Sequence, residues 1–335
     1  MKKKYFARAN TSSGCVNLID KNIGDIKNIY ILSGESKHTK GEILKKLSEK
    51  FGNIECIYSP FEVGTLEGVI LRDIKTAVLD ETLTNENIAG EIIHCKGKTT
   101  EEKADNEKAK AAYNELNKAY SKAKEIHDEW EKIYIGRIDF DRLEAYSNEL
   151  IYQLIGNKKG NLGTYKYERF FGASTPDGSV NYIDNITQNL RKRYFIKGRP
   201  GTGKSTFLKK LAKAANDNGF GCEVYYCSFD KNSLDMVLIP DLSFCVFDST
   251  SPHELFPERE GDSILDFYAN GGLSGTDEEM AKELSDVTDR YNKKIAEGLC
   301  YLRLGNLYEK ETAQPDTKYI DQMADSIYQK IKGTF

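Results

Sequence analysis

Nine consecutive residues, Gly198-Arg199-Pro200-Gly201-Thr202-Gly203-Lys204-Ser205-Thr206, carry the densest chemistry in the chain. Their spacing is G-x-x-x-x-G-K-[ST], and each residue type has a task around a triphosphate. Glycines let the backbone curl closely enough to aim several N–H groups at one anion. A helix starting there adds the positive end of its dipole. Lys204 brings a point charge to the β- and γ-phosphates, and the Ser205 hydroxyl offers Mg²⁺ an oxygen ligand.

Further carboxylates and cations follow. The run Leu242-Ser243-Phe244-Cys245-Val246-Phe247-Asp248 reads as an apolar strand ending in an acid, the arrangement that sets a carboxylate beside such a loop to hold Mg²⁺ through water. Beyond it, Glu254 is a candidate for polarising a water and His253 for contacting a phosphate or an acceptor, although both equally suit a turn capping a helix near Leu255. Asp230 ends another apolar run, Val224 to Phe229, and is a candidate water-orienting or acceptor-binding carboxylate, since ligands sit at the carboxyl ends of strands in open α/β sheets. Arg199 and Arg259 are candidates for stabilising transferred charge, against the plainer reading of surface arginines.

Positioning these groups requires a strand, a loop and a helix. Tyr194-Phe195-Ile196 supplies the strand, and Thr206 to Ala215 supplies the helix, with Phe207, Leu208, Leu211 and Ala212 on one face. The same series occurs earlier. Phe6 to Asp20 matches Phe170 to Asp184 at an offset of 164, with Phe, Ala, Gly, Val, Asn, Ile and Asp recurring in register. Ile29 to Gly34 falls on Arg193 to Gly198, and Leu44-Lys45-Lys46-Leu47 on Leu208-Lys209-Lys210-Leu211. The offset then becomes 168: Glu55 to Tyr58, Leu66 to Ile70 and Thr76 to Asp80 meet Glu223 to Tyr226, Leu234 to Leu238 and Phe244 to Asp248. These short apolar runs suit buried parallel strands, and the repetition implies two copies of one α/β unit.

Each copy closes in helices. Ala109, Ala112, Leu116, Ala119, Ala123, Ile126, Trp130 and Ile133 predict a long amphipathic helix from about Glu101 to Tyr134. A second helix, Asp141 to Ile155, is expected to fold back on it through Leu143, Tyr146, Leu150 and Leu154. The second copy repeats the plan with Met280, Leu284, Val287, Tyr291, Ile295 and Leu302, then Tyr319, Met323, Ile327 and Ile331. The expected division is a first unit at 1–156 with its helical arm at about 101–155, a glycine-rich linker at 157–164, and a second unit at 165–335 with its arm at about 277–332.

In the first copy the equivalent loop reads Gly34-Glu35-Ser36-Lys37-His38-Thr39-Lys40-Gly41-Glu42. The first glycine and the lysine survive, while Lys37, Thr39 and Gly41 replace Gly201, Gly203 and Ser205. A β-branched Thr suits a positive-φ loop position poorly, the metal-binding hydroxyl is lost, and Glu35 and Glu42 add negative charge. This copy is expected not to hydrolyse nucleotide. Asp80-Glu81, the acidic pair some ATPases use, thus lies in the half that lost its glycines.

The chain has 335 residues, enough for about two domains, and a formal net charge of -4, which gives no basic excess to favour nucleic acid or an anionic membrane. Met1-Lys2-Lys3-Lys4 is not followed by a signal-peptide apolar stretch, and no run of about 18 apolar residues suggests a membrane span. Seven cysteines without a CxxC pair read as reduced core residues of a cytoplasmic protein, and the four histidines lack metal-ligand spacing.

With the loop, Asp248 and the duplication in view, the chain resembles the P-loop NTPase superfamily, and more narrowly a group of tandem P-loop ATP-binding proteins of Gram-positive bacteria. The shared pieces are the GxPGTGKST loop, the segment around Cys227-Ser228, and the stretch Asp248 to His253. The resemblance implies two units built on mainly parallel sheets flanked by helices, with ATP and Mg²⁺ held in the second. It brings no substrate. The absence of an Asn-Lys-x-Asp motif tilts the base toward adenine. The reading is an ATPase with one working site, Lys204, Ser205 and Asp248 at its centre, and a structural or regulatory first half paired with the second. The alternatives are a small-molecule or nucleoside kinase, with the segment Asp277 to Lys310 as a lid, and a non-hydrolysing module that locks the halves together around ATP.

Overall fold

A computed structural model describes residues 2–34, 36–96, 106–160, 166–251, 254–309 and 316–333. The first copy runs β1 (Lys2–Tyr5), β2 (Arg8–Thr11), β3 (Gly14–Asn17), β4 (Asn28–Ser33), α1 (Lys37–Glu49), β5 (Ile54–Tyr58), β6 (Leu66–Leu71), β7 (Thr76–Asp80), β8 (Glu91–His94), α2 (Asn106–Ile135) and α3 (Phe140–Leu154). The second runs β9 (Lys166–Arg169), β10 (Gly172–Thr175), β11 (Gly178–Asn181), α4 (Ile183–Thr187), β12 (Lys192–Lys197), α5 (Lys204–Asp217), β13 (Cys222–Tyr226), β14 (Leu234–Ile239), β15 (Phe244–Asp248), β16 (Asp262–Asp266), α6 (Phe267–Asn270), α7 (Thr276–Glu279), α8 (Ala281–Glu309) and α9 (Thr317–Lys332).

The two six-stranded sheets have matching orders, β1-β5-β6-β7-β4-β8 and β9-β13-β14-β15-β12-β16, so the duplication seen in the sequence extends to the topology. All strand pairs in both sheets are parallel except those made by β6 and β14, which run antiparallel to both neighbours. The parallel expectation for Leu66 to Ile70 and Leu234 to Leu238 is therefore corrected. The reason is connection length: β6 reaches β7, and β14 reaches β15, through a single turn closed by Lys75 or Ser243 at φ 50 and 54, whereas a parallel return needs about a dozen residues.

Side-chain alternation splits each sheet between two cores. Phe195, Cys245 and Phe247 face Ile57, Ala77 and Leu79 of the other copy in one shared core, so the two sheets pack face to face. A pseudo-two-fold contact marks the join, where the amides of Phe6 and Phe170 each donate to the other's carbonyl at 2.9 Å. Arg169, fully buried, ties the copies further by bonding Glu55 at 3.0 Å and Glu223 at 2.8 Å.

The outer faces show the main departure from expectation. The first copy's second helix does not fold back on the first: Leu143, Leu150 and Leu154 of α3 join Phe207, Leu208 and Leu211 of α5, which belongs to the second copy. Reciprocally, Ile320, Ile327 and Ile331 of α9 pack on Ile43, Leu44 and Leu47 of α1. Each apolar anchor buried in this way contributes about 1.5–3 kcal/mol. The arms are thus exchanged rather than closed into separate hairpins. The expected helix between Glu101 and Tyr134 is present from Asn106, residues 101–105 lying outside the described residues.

The long helices α2 and α8 pair with each other across the carboxyl ends of both sheets. Ala109, Ala112, Leu116, Ala119, Ala123 and Ile126 are buried as their spacing predicts. In α8 Val287 and Leu302 are buried as expected, and the seam adds two residues outside the expected series: Gly298 and Gly305 lie under the rings of Tyr120 and Tyr113, with a Cβ at 298 falling 2.3 Å from Tyr120 Cε1. Of the cysteines, Cys56, Cys95, Cys222 and Cys245 are buried core residues, whereas Cys15 and Cys300 are exposed. No helix among the described residues is long and apolar enough to cross a membrane.

Candidate functional site

The glycine loop leaves the end of β12 and enters α5. Gly201 and Gly203 stand at φ 79 and 76, conformations that cost an L side chain energy, which accounts for glycine at both positions. Gly203 is the N-cap of α5 and offers no side chain to it. Among the described residues the amides of Gly203, Lys204, Ser205 and Thr206 donate to no protein acceptor. Unpaired amides at a helix start, with the dipole behind them, are suited to an anion.

Lys204 Nζ donates to the Arg199 carbonyl at 2.9 Å and lies 3.5 Å from Asp248 Oδ2. Asp248 Oδ1 accepts from the amide and hydroxyl of Thr250, at 3.1 and 2.6 Å, which orients the carboxylate. Ser205 Oγ accepts from the Leu234 amide at 2.9 Å, keeping a second lone pair for a metal. Lys204, Ser205 and Asp248 are therefore brought to one edge, where an anion and a hard cation have matching partners.

Other expected members are engaged elsewhere. Asp230 accepts from the Asn232 amide at 3.0 Å and faces Lys124 at 3.6 Å. Glu254 pairs with Lys197 at 3.3 Å. Arg199 pairs with Asp277 through two bonds of 2.9 and 2.6 Å. Arg259 donates to the Thr187 and Gln188 carbonyls and faces Asp262 at the start of β16, the amino edge, so it does not act beside the loop. His253 lies outside the described residues.

Two sets of neighbours were not singled out from the sequence. Asp235, at the start of β14, sits on a bulge between the pairs Tyr226–Leu234 and Tyr225–Met236. Burial first, and Asp248 second, push its carboxyl up to about 8. The available signal was an acid inside an apolar strand at the same place in both copies, Glu67 and Asp235. The second set comes from the exchanged arm: a Cβ on Gly201 would lie 3.0 Å from Ile135 Cγ1 and 3.3 Å from Glu131 Cβ, and one on Gly203 would lie 3.3 Å from Leu143 Cδ2. Tyr134 of α2 donates to Asp277 at 2.9 Å, joining the arm to Arg199 of the loop. Sequence periodicity assigned these residues to a seam without saying which copy they face. On the same helix the potential ligand atoms of His127, Asp128 and Glu131 lie within 4.8 Å of one another.

The first copy shows what replaces this arrangement. Here Lys37 to Lys40 are helical, and Ser36 caps α1 by accepting from the Thr39 amide at 3.1 Å. Thr39 is therefore not strained in a loop, as the alignment suggested, because the loop has been wound into helix. Lys40, only 1% exposed, bonds Glu81 Oε1 at 2.8 Å and faces Asp80 at 3.3 Å. Glu81 also accepts from the Gly34 amide at 2.9 Å and the Ser33 hydroxyl at 2.6 Å. Burial raises its pKa, but the bonds from Lys40, Ser33 and Gly34 outweigh that and bring it down to about 2. An internal carboxylate thus occupies the donors nearest the lysine. At the place of Ser205, Gly41 meets Thr65, whose Cγ2 would lie 2.5 Å from an added Cβ. A cavity of about 400 Å³ opens at this edge, but its cations are already paired, Arg8 with Glu67 and Lys37 with Glu309.

No family model, no curated protein and no solved structure matches the chain.

Proposed function

We propose that the chain is an ATPase of the P-loop type with one working site, formed by the loop from Gly198 to Thr206 in the second copy and covered by the arm of the first. The observation that carries this reading is the combination at α5 of two positive-φ glycines, uncommitted N-terminal amides and Lys204 within 3.5 Å of Asp248. ATP fits these donors because its phosphates need several N–H groups and a cation in one concave place. Ser205 and Asp248 are the residues that would hold Mg²⁺, which when bound neutralises charge on the phosphates.

Lys204 would exchange its bond to the Arg199 carbonyl for a phosphate oxygen, so the loop is already arranged for its ligand. Glu131 and Ile135 limit the approach of solvent to Gly201, and the Tyr134–Asp277–Arg199 chain holds the arm down on the loop. The first copy acts as a scaffold for this closure, its own loop being filled by Glu81.

The test is phosphate release from Mg·ATP by the full chain and by Lys204→Ala. Turnover in the wild type that falls on the order of 100-fold in the folded variant supports the reading, since single charge-stabilising donors contribute on that scale. Equal turnover in the two proteins contradicts it. Phosphate transfer to an added metabolite, with little release to water, would instead identify a kinase, and ATP binding without either reaction an interaction module.

A further inference from the structure

His127 lies on α2, one turn before the residues that cover the Gly198 loop, and aromatic side chains hold its ring in place. The ring centroids of Trp130, Phe229 and Tyr291 stand 6.2, 6.2 and 5.8 Å from that of the imidazole. In this wall the Nδ1 atom is buried, and among the described residues it has no hydrogen-bond partner. The carboxylate facing it, Glu131 Oε1, stands at 3.7 Å, beyond hydrogen-bond reach. A buried nitrogen left unpaired is costly, so it calls for a partner that the chain itself does not supply.

Asp128 completes a set, since one ligand atom from each of His127, Asp128 and Glu131 lies within 4.8 Å of the other two. Two atoms that share one ion at about 2.0–2.2 Å stand roughly 3–3.5 Å apart, so 3.7 Å is close to a shared-ion spacing, and rotation of the two partly exposed carboxylates closes the remainder. Lys124 engages Asp128 through Oδ1 and faces Asp230 at 3.6 Å, which leaves the second Asp128 oxygen to an ion. We propose that His127, Asp128 and Glu131 form a binding site for a divalent transition metal of the Zn²⁺ type. One imidazole with two carboxylates suits such an ion, whereas Mg²⁺ and Ca²⁺ take oxygen donors, the only kind that Ser205 and Asp248 present. Three protein ligands also leave a position open to water. The histidines are not spaced to pair with one another; the spacing that serves here is histidine to carboxylate one helical turn on, which puts both on one face. The ion pins the turn of α2 at which the arm meets the loop, where the Glu131 carbonyl lies 3.1 Å from the place of a Cβ on Gly201.

The site stands without the nucleotide reading, and its test needs no nucleotide. Zn²⁺ is titrated by calorimetry into the full chain and into His127→Gln, both in excess Mg²⁺ so that oxygen-only sites are already occupied. The expected result is Zn²⁺ binding by the wild type and an affinity lower by about ten-fold or more in the variant, since even partners outside the coordination sphere act on that scale. Equal binding by the two proteins, or no Zn²⁺ binding by the wild type, overturns the proposal. Circular dichroism establishes whether the variant folds. If it does not, anomalous scattering from Zn²⁺ in wild-type crystals decides: a peak about 2.0–2.2 Å from a His127 nitrogen and from an oxygen of Asp128 or Glu131 supports the site, and peaks only elsewhere, or none, overturn it. Neither outcome bears on ATP turnover, which stands or falls on Lys204→Ala.

Discussion

Residues 34–41 and 198–205 occupy the same place in two sheets of the same strand order, yet they solve opposite problems. In the second copy two glycines at positive φ hold the chain open before α5, and Lys204 is bonded to a backbone carbonyl. In the first copy the helix begins at Lys37, the equivalent of Gly201, and Lys40 is bonded to carboxylates. The difference teaches that a loop of this kind is not lost by deleting donors alone. Lys40 and the Gly34 amide remain, and Glu81 satisfies them from within the chain, so the first copy carries its own anion. Position 81 corresponds to Ser249, which bears no charge, so the second copy has no carboxylate at the place from which Glu81 reaches Lys40.

The largest expected divergence is between the two lysines. Lys204→Ala should lower ATP turnover on the order of 100-fold with little change in thermal stability, because it removes a donor to a ligand. Lys40→Ala should do the reverse, costing about 3 kcal/mol in urea unfolding by leaving buried Asp80 and its neighbour Glu81 without their cation. Similar behaviour of the two variants in paired turnover and unfolding assays would break the comparison.

The glycines give the next effect. Gly203→Ala places an L side chain at φ 76, and Gly201→Ala adds a contact with Ile135 and Glu131, so each should cost about 1–3 kcal/mol. Thr39→Gly, at the position equivalent to Gly203, lies within a capped helix and should cost only about 1 kcal/mol. Denaturant midpoints of the three variants check the ranking.

A pH series sharpens the role of Glu81. Its folded pKa, about 2, lies below the ordinary 4.5, so its contribution is present above pH 4.5 and is lost as pH falls toward 2. Glu81→Gln should flatten that part of the stability curve. An unchanged acid limb would remove the internal-anion account. The smallest effect is expected at the arm, where Tyr134→Phe deletes the bond to Asp277 and should cost about 1 kcal/mol of stability.

Much of this comparison was legible in the sequence. The repeat offset, the strands β4, β5, β7 and their twins, and the replaced glycines follow from local patterns that the chain carries twice. What stayed hidden is tertiary. Leu143 and Leu150 mark an apolar helix face, but the same face can cover its own copy or the other, and only the packing on Phe207 and Leu211 decides. The direction of β6 and β14 was missed because a buried antiparallel strand has the same apolar run as a parallel one. Gly298 and Gly305 were invisible to a pattern that counts aliphatic residues, since their contribution is the room they leave for Tyr120 and Tyr113. Glu81 was read as half of an acidic pair, because sequence does not show that its carboxylate turns back to Lys40.

The central claim is that one loop is open and the other is filled. Its most direct test is the stoichiometry of Mg·ATP binding to the full chain by titration calorimetry, with Lys204→Ala and Lys40→Ala measured alongside. The account predicts one ATP per chain, abolished by Lys204→Ala and retained by Lys40→Ala. Two ATP per chain, none, or one that survives Lys204→Ala would contradict it.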